Sequence, residues 1–583
     1  MASEIVFTRK ARCRDCHRCL RACPVKAIAV HDGQAQVVAD RCIACGTCIR
    51  ECPQSAKTYR NDVAEAARLM SEQHKVVASV APSFAGVFEP WEQARLASAL
   101  RRLGFVYVAE TAAAATEVAN AGVAYVAEHP DAAHAWSSCP AVTEYIRRYR
   151  PDDASLLVPI ASPMVAHARW LRSRLGDDIK VIFLGPCVAK KAEAERPDLK
   201  GLVNVVLTFA ELAEWLAQEG IVLASCEESS FDERGDTARL YPLPDGALRT
   251  ARVLSRDLGA RAFSASGFAD VDHALDLLAM PGQTRVVEPL FCAGGCINGP
   301  ATGTNRNVFA RRFAVENRPA GDSVLPKLEL GDARLGDPGV RIPLPAEAPV
   351  SESDILAVLA ATGKSLRDDQ LDCAACGYAS CREKAIAVVR KLAEPDMCIP
   401  HMRRLAEIKT DAILESSPNG ILLLDAHFLI LSMNAAFRRH FRAGDATLGE
   451  HISALMDPEP FLRLSTRDDH VEITVKHERF GVVCHQILYR LPEANQYVGI
   501  FVDITESKSD QQKLEKLRAQ TIVQAQELLD HQVAIAQQLA QFLGESTAKG
   551  EVLVENLLKL ADKPRDPGSD PVKKWRWNTS TSK

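Results

Sequence analysis

No apolar run in this sequence is long enough to cross a bilayer. The most apolar stretch, Ile421 to Met433, is broken by Asp425 and His427 and falls short of the roughly 18 residues that a spanning helix needs. The first ten residues set no apolar core behind their charges, so they do not read as an export signal. A surplus of one charge is also missing. Lys and Arg number 70 against 75 Asp and Glu, which leaves no electrostatic footprint for nucleic acid. The expectation is a cytoplasmic protein with no membrane and no nucleic-acid partner. Disulfides are not expected either, because thiols stay reduced in the cytosol.

What the chain has in quantity is cysteine, 18 of them in 583 residues. That length exceeds one hydrophobic core and points to three to five units at roughly 100–200 residues each. Sixteen cysteines fall into four groups of four, leaving Cys226 and Cys484 as core thiols. In a reducing compartment such grouping argues for metal or redox chemistry.

The first two groups are copies of one pattern. Cys13, Cys16, Cys19 and Cys23 followed by Pro24 read C-x2-C-x2-C-x3-C-P, and Cys42, Cys45, Cys48 and Cys52 followed by Pro53 repeat it. Residues 5 to 60 thereby resemble two-cluster bacterial ferredoxins, which implies one-electron transfer. In that family the fourth cysteine of each run ligates the other cluster. The resemblance therefore assigns one 4Fe-4S centre to Cys13, Cys16, Cys19 and Cys52, and the second to Cys42, Cys45, Cys48 and Cys23. C-x2-C also suits tetrahedral zinc, and a pair of zinc knuckles is the bland alternative.

From about Val76, short β-branched runs alternate with alanine-rich helical stretches. Lys75 to Val80, Ile179 to Leu184 and Val203 to Leu207 read as strands, and Ala210 to Gln218 as a helix between them. Alternation of this kind argues an α/β domain with mostly parallel strands, whose sites gather at the carboxyl ends of the strands. Four cysteines sit in three such turns: Cys139 in Ser137-Ser138-Cys139-Pro140, Cys187 in Gly185-Pro186-Cys187, and Cys292 and Cys296 either side of Ala293-Gly294-Gly295.

These segments, in this order over roughly residues 75 to 310, resemble the signature motifs of iron-iron hydrogenases. The resemblance implies an H-cluster, a 4Fe-4S cubane on Cys139, Cys187, Cys292 and Cys296 joined through the last sulfur to a two-iron unit carrying carbon monoxide, cyanide and a dithiolate bridge. It implies that Lys190 hydrogen-bonds one cyanide, and that Ala81-Pro82-Ser83, with Pro82 and Ser83 foremost, lines the other. The substrates implied are hydrogen and protons, and the partner a ferredoxin or another redox protein.

Departures from the family pattern bear on the rate. Ser138 stands where catalytic members have a proton-donating cysteine, and a hydroxyl barely ionises near neutral pH. By the same alignment the relay serine falls at Val158, the relay carboxylates near Gly122 and Tyr125, and two methionines of the pocket at Gly185 and Leu290. Glu110, Glu117, Glu144 and His273 are the titratable groups that could form another route. These departures are similar to those of the sensory branch of the family, so slow turnover is expected.

Past a linker at Ala346 to Val350, Cys373, Cys376 and Cys381 form C-x2-C-x4-C, completed by Cys398. This resembles the small 4Fe-4S domain found with corrinoid iron-sulfur proteins, with zinc again the alternative. Residues 409 to 506, closing in Asp503-Ile504-Thr505-Glu506, resemble a PAS domain with no assignable ligand; His427, His440 and His451 are candidate haem ligands. A stripe of Thr521, Ala525, Leu528, Gln532, Ile535, Leu539 and Phe542 fits a weak heptad seam.

The expected fold is therefore multidomain α/β. It comprises a ferredoxin-like two-cluster module (1–60), an α/β H-cluster domain (75–345), a small mostly helical 4Fe-4S domain (350–408), a PAS domain (409–506), a coiled-coil helix (507–562) and a disordered tail (563–583). The expected function is a slow hydrogenase-type oxidoreductase used for hydrogen or redox sensing. A homodimer through the PAS domain and coiled coil is expected to act on a kinase or phosphatase in trans. A catalytic ferredoxin-linked hydrogenase and a non-catalytic iron-sulfur scaffold lacking the two-iron unit are the alternatives.

Overall fold

The computed structural model describes residues 4–72, 74–136, 138–251, 261–319, 342, 344, 349–466, 470–505, 521–529, 531 and 532. The chain divides into two compact units, Met1–Met397 and Cys398–Lys583.

The first unit opens with the cysteine-rich module. Strand β1 (Val6–Thr8) pairs antiparallel with β4 (Lys57–Tyr59), and β2 (Ile28–His31) forms a hairpin with β3 (Gln34–Val37). The two cysteine runs fold alike. In each, the residue before the second cysteine and the residue after it adopt positive φ, Asp15 at 50° and His17 at 54° in one, Ala44 at 52° and Gly46 at 74° in the other. Each turn then enters a five-residue helix, Arg18–Ala22 or Thr47–Glu51.

Two parallel sheets follow. The larger has the order β6-β5-β8-β9, with β5 at Val76–Val80, β6 at Tyr107–Glu110, β8 at Lys180–Gly185 and β9 at Val205–Thr208. The smaller has the order β10-β11-β7, from Ala262–Ser266, Val286–Leu290 and His134–Ala135. All five residues of β5 are buried, as a parallel strand covered on both faces requires. The three strands read from the sequence are all present. Thr208 starts the helix Phe209–Gln218 through a capping box with Glu211, which places its onset one residue before the expected Ala210.

Beyond the central domain, the helices Glu352–Ala361 and Cys381–Val389 share a small core of Ile355, Leu359, Cys381 and Ala385.

The second unit begins with the helix Ile399–Ser416, which runs unbroken through the boundary expected at residue 408. An antiparallel sheet of order β13-β12-β16-β15-β14 follows, built from β12 (Gly420–Leu424), β13 (Ile430–Met433), β14 (His470–His477), β15 (Val482–Leu491) and β16 (Gln496–Asp503). One face packs on Phe437, Phe441, Phe461 and Phe501. Against the other face, on Ile487, Val498 and Ile500, lies Ala525. Residues 521–529 are helical, and Thr521 is buried, so the first positions of the heptad stripe meet their own sheet. Ile535, Leu539 and Phe542 lie outside the described residues, as does the tail at 563–583. His427 and His451 are exposed and His440 is half-buried. Among the described residues no helix is long and apolar enough to cross a membrane.

Candidate metal centre

Parallel strands deliver their following turns to one edge, and that edge is where the central cysteines meet. β8 leads through Pro186 to Cys187 and the helix Ala189–Ala194; β7 leads to Cys139, which stands before Pro140 at the start of the helix Pro140–Tyr149. From β11 the chain turns through Cys292 to Cys296, with Gly294 and Gly295 at φ 79° and 89°, a conformation glycine adopts without steric cost.

The four sulfurs form one interacting group. Burial pushes the Cys187 thiol up to about 11; the nearby Cys139 adds to this, while the Lys190 charge and the N–H groups of Lys190 and Ala189 pull the other way. Burial raises Cys292 and Cys296 further, and Cys139 and Cys187 act on both. Thiols this reluctant to ionise become thiolates only when a metal compensates the charge.

Beside the sulfurs lies a cavity of about 90 Å³. Ser83, Ser138, Lys190 and Tyr241 bring polar groups to a wall otherwise formed by residues such as Met164, Phe183 and Leu290. Pro82 also lines it. Lys190 Nζ donates to Glu193 Oε2 at 2.6 Å and reaches the Ser138 carbonyl at 3.5 Å. An ammonium has three donors, so pairing with Glu193 leaves capacity toward the cavity. Ser83 Oγ is buried without a hydrogen-bond partner among the described residues, which is costly unless something in the cavity accepts from it.

Three residues were missed from the sequence. Tyr241 sets its hydroxyl 3.3 Å from Ser138 Oγ, and Thr111 lines the cavity while meeting Ser79 Oγ at 2.8 Å. Glu288, in the Glu-Pro-Leu-Phe-Cys run before Cys292, accepts from the N–H groups of Ala247 and Leu248 at 3.0 and 3.1 Å, yet burial raises its carboxyl to about 7. Only Glu288 had a sequence signal, its place in that run.

Packing fills the relay positions at Val158 and Gly122 and the methionine position at Gly185. Val158 is buried in the core. A Cβ on Gly122 would stand 2.5 Å from the Trp136 ring, and one on Gly185 2.6 Å from Phe183. None of Glu110, Glu117, Glu144 and His273 lines the cavity. Glu110 is paired with Arg318, Glu144 with Arg147 and Arg148, and His273 is exposed.

In the amino-terminal module the sulfurs associate across the two runs. Cys19 feels the charges of Cys16, Cys13 and Cys52, whereas Cys48 feels those of Cys45, Cys42 and Cys23. Burial raises Cys19 and Cys42 to about 11 and Cys45 to about 12. Cys45 also acts on Cys292, and a Cβ on Gly46 would stand 2.4 Å from Pro300. The second run thus abuts the central site. Among the described residues no three Cys, His, Asp or Glu side chains close on a single-ion site; a cubane holds each thiolate on a separate iron and needs no such closure.

The later cysteine loop turns at positive φ through Asp372, Ala374 and Gly377. Cys373 is exposed, Cys376 half-buried and Cys381 buried. Lys364 Nζ donates to Cys381 Sγ at 3.1 Å, and Arg21 donates to the Ala375 carbonyl at 3.1 Å, which ties this loop to the first cysteine run. Cys398 is buried immediately before the helix Ile399–Ser416.

Residues 74–300 match the family model described as iron only hydrogenase large subunit, C-terminal domain. The central domain is FeFe-hydrogenase-like. Residues 5–53 match a 4Fe-4S dicluster domain and residues 369–400 a putative Fe-S cluster family, so the chain is an FeFe-hydrogenase-like iron-sulfur protein. A curated relative, the cytosolic Fe-S cluster assembly factor NAR1 of Vanderwaltozyma polyspora, is 31% identical over 85 residues, 15% of this chain. The match spans 16% of that relative's length. Among solved structures, an apo [FeFe]-hydrogenase HydA1 variant from Chlamydomonas reinhardtii is 19% identical, covering 48% of this chain and 96% of that chain, at a TM-score of 0.39. A PAS domain of an HTR-like protein from Haloarcula marismortui is 21% identical, covering 17% and 99%, at a TM-score of 0.15.

Proposed function

We propose that this FeFe-hydrogenase-like protein interconverts hydrogen with protons and electrons at a slow rate and uses the resulting redox state as a signal. The observation that carries the proposal is one edge of the central domain, where Cys139, Cys187 and Cys296 line a cavity that Lys190 and Ser83 also border, with the Ser83 hydroxyl unpartnered among the described residues and Cys292 acted on by Cys139, Cys187 and Cys296. The residues fit an H-cluster: one buried and three half-buried cysteines for a cubane, Cys296 at the cavity, and donors suited to anionic cyanide acceptors. When bound, that group supplies the redox chemistry of hydrogen. The chain supplies the rest. Lys190 and Ser83 orient by hydrogen bonding, while Met164, Phe183 and Leu290 restrict water. Ser138 and Tyr241 bring hydroxyl protons to the cavity, both poor acids, and burial raises the Tyr241 phenol still further.

Slow proton delivery suits a sensor. Under this reading the clusters of the amino-terminal module and of residues 369–400 carry electrons from a ferredoxin or similar donor. The domain at 409–506 acts as a PAS-type output that pairs with a second copy and addresses a kinase or phosphatase in trans. A second reading, an iron-sulfur scaffold with no two-iron unit, is favoured by the similarity to the assembly factor and by the packing that fills the relay positions.

Infrared spectra of protein matured with the two-iron unit decide between them. Bands of metal-bound carbon monoxide and cyanide are expected, and their absence rejects the hydrogenase reading. With the bands present, Ser138→Cys is expected to raise hydrogen turnover about 100-fold, within the usual contribution of a positioned proton donor; high turnover in the natural protein rejects the sensor.

A further inference from the structure

The two halves of the amino-terminal module are copies, so a position where they differ carries information. Counted from the fourth cysteine, Cys23-Pro24-Val25-Lys26-Ala27-Ile28 aligns with Cys52-Pro53-Gln54-Ser55-Ala56-Lys57. The copies agree down to single hydrogen bonds: Ala27 N–H donates to Cys23 Sγ at 3.3 Å and Ala56 N–H to Cys52 Sγ at 3.2 Å. One residue later they part. Ile28 is 1% exposed in the apolar core, and its counterpart Lys57 is a cation only 3% exposed.

Taking an ammonium out of water costs several kcal/mol unless an opposite charge compensates it. Two other buried lysines of the same unit meet that condition, Lys190 with Glu193, and Lys191 with Asp62 and Glu211. Lys57 Nζ donates to Thr8 Oγ1 at 2.5 Å and to the Ala35 carbonyl at 2.8 Å, two neutral acceptors, and no carboxylate pairs with it among the described residues. Its chain neighbour Ala56 donates to Cys52 Sγ at 3.2 Å, which sets Lys57 beside the cysteine sulfurs, and its charge acts on Cys19, Cys42 and Cys48 of both groups.

We propose that Lys57 is the counter-charge shared by the two ferredoxin-type clusters, a tuning residue that raises the reduction potentials of both. The proposal rests on the reading of the two cysteine groups as cluster ligands. A cubane on four thiolates is an anion, and reduction adds one electron with no proton and no change of ligand. A fixed cation stabilises the reduced form more than the oxidised one, and burial removes the solvent that would screen it. The external low-potential donor that gives up the electron is the species oxidised. Lys57 touches neither substrate nor reacting atoms; it acts through the field at the clusters.

The test is a redox titration of the full-length, iron-loaded protein with dithionite, followed by electron paramagnetic resonance, for the natural chain and for Lys57→Gln, Lys57→Met and Lys57→Arg. The Gln and Met variants are expected to lower the reduction equilibrium of both clusters about tenfold or more, 59 mV for a one-electron couple, with the larger fall at the Cys19 centre. Arg is expected to restore it. Unchanged potentials in a Gln or Met variant with full cluster content overturn the proposal. Clusters lost in Gln and Met but kept in Arg support it, because charge is then what the site demands; loss in all three overturns it, because shape is then the requirement. A natural protein without iron in this module removes the reading beneath, a result separable from a null shift.

Discussion

The amino-terminal module and the central site each gather cysteines, but they do so by opposite routes. In the module each run sets three cysteines within seven residues, and the fourth cysteine of each run acts on a sulfur of its twin. In the central domain the ligands arrive from three turns spread between Cys139 and Cys296, and only the parallel sheets bring them together. Local spacing therefore specifies the first kind of site nearly alone, whereas the second depends on strand order and register. The second also gains what a local loop lacks, a cavity beside the metal position with separately placed donors.

Single cysteine replacements break this comparison most sharply. Cys23→Ala is expected to abolish the centre of Cys42, Cys45 and Cys48 and to spare that of Cys13, Cys16 and Cys19, read by electron paramagnetic resonance. Loss of the local run instead refutes the exchange of fourth ligands. Cys187→Ala is expected to remove the central cluster and leave both amino-terminal signals intact.

A smaller effect tests the buried acid of the central site. The Glu288 carboxyl is raised from 4.5 to about 7 in the folded protein, so between those values the folded state holds more protons than the unfolded one. Stability contributed by this group is thus lost as pH rises. Relative to Glu288→Gln, the natural protein is expected to lose about 2–3 kcal/mol between about pH 5 and pH 8, measured by thermal unfolding at each pH. A difference that grows toward low pH contradicts the assignment.

The smallest effect concerns the seam between the two regions. The left-handed position after the second cysteine holds His17 in one run and Gly46 in the other, and Gly46 lies against Pro300. Gly46→Ala is expected to cost about 2 kcal/mol from backbone strain and crowding, seen as a lowered unfolding midpoint. A neutral result means the loop can withdraw from Pro300.

Much of this was legible in advance for identifiable reasons. The repeated cysteine runs carry their own geometry, and the Val-rich runs at Val76, Lys180 and Val205 announced buried parallel strands. Tyr241 was not legible, because nothing around Tyr241-Pro242 distinguishes a cavity phenol from a core one. Nor was the use of Trp136 and Phe183 to fill the space at Gly122 and Gly185, since packing partners distant in sequence leave no periodic trace. The heptad stripe reads equally as a seam between helices or as a face for a sheet, and its early residues took the sheet.

By itself the sequence determined the cysteine grouping and the class of metal chemistry, since these follow from residue type and short-range spacing. Only the tertiary structure decided which sulfurs share a field, which donors border the cavity and that Lys57 is buried on neutral acceptors. Those depend on distances between segments that chain connectivity leaves free and that packing alone sets.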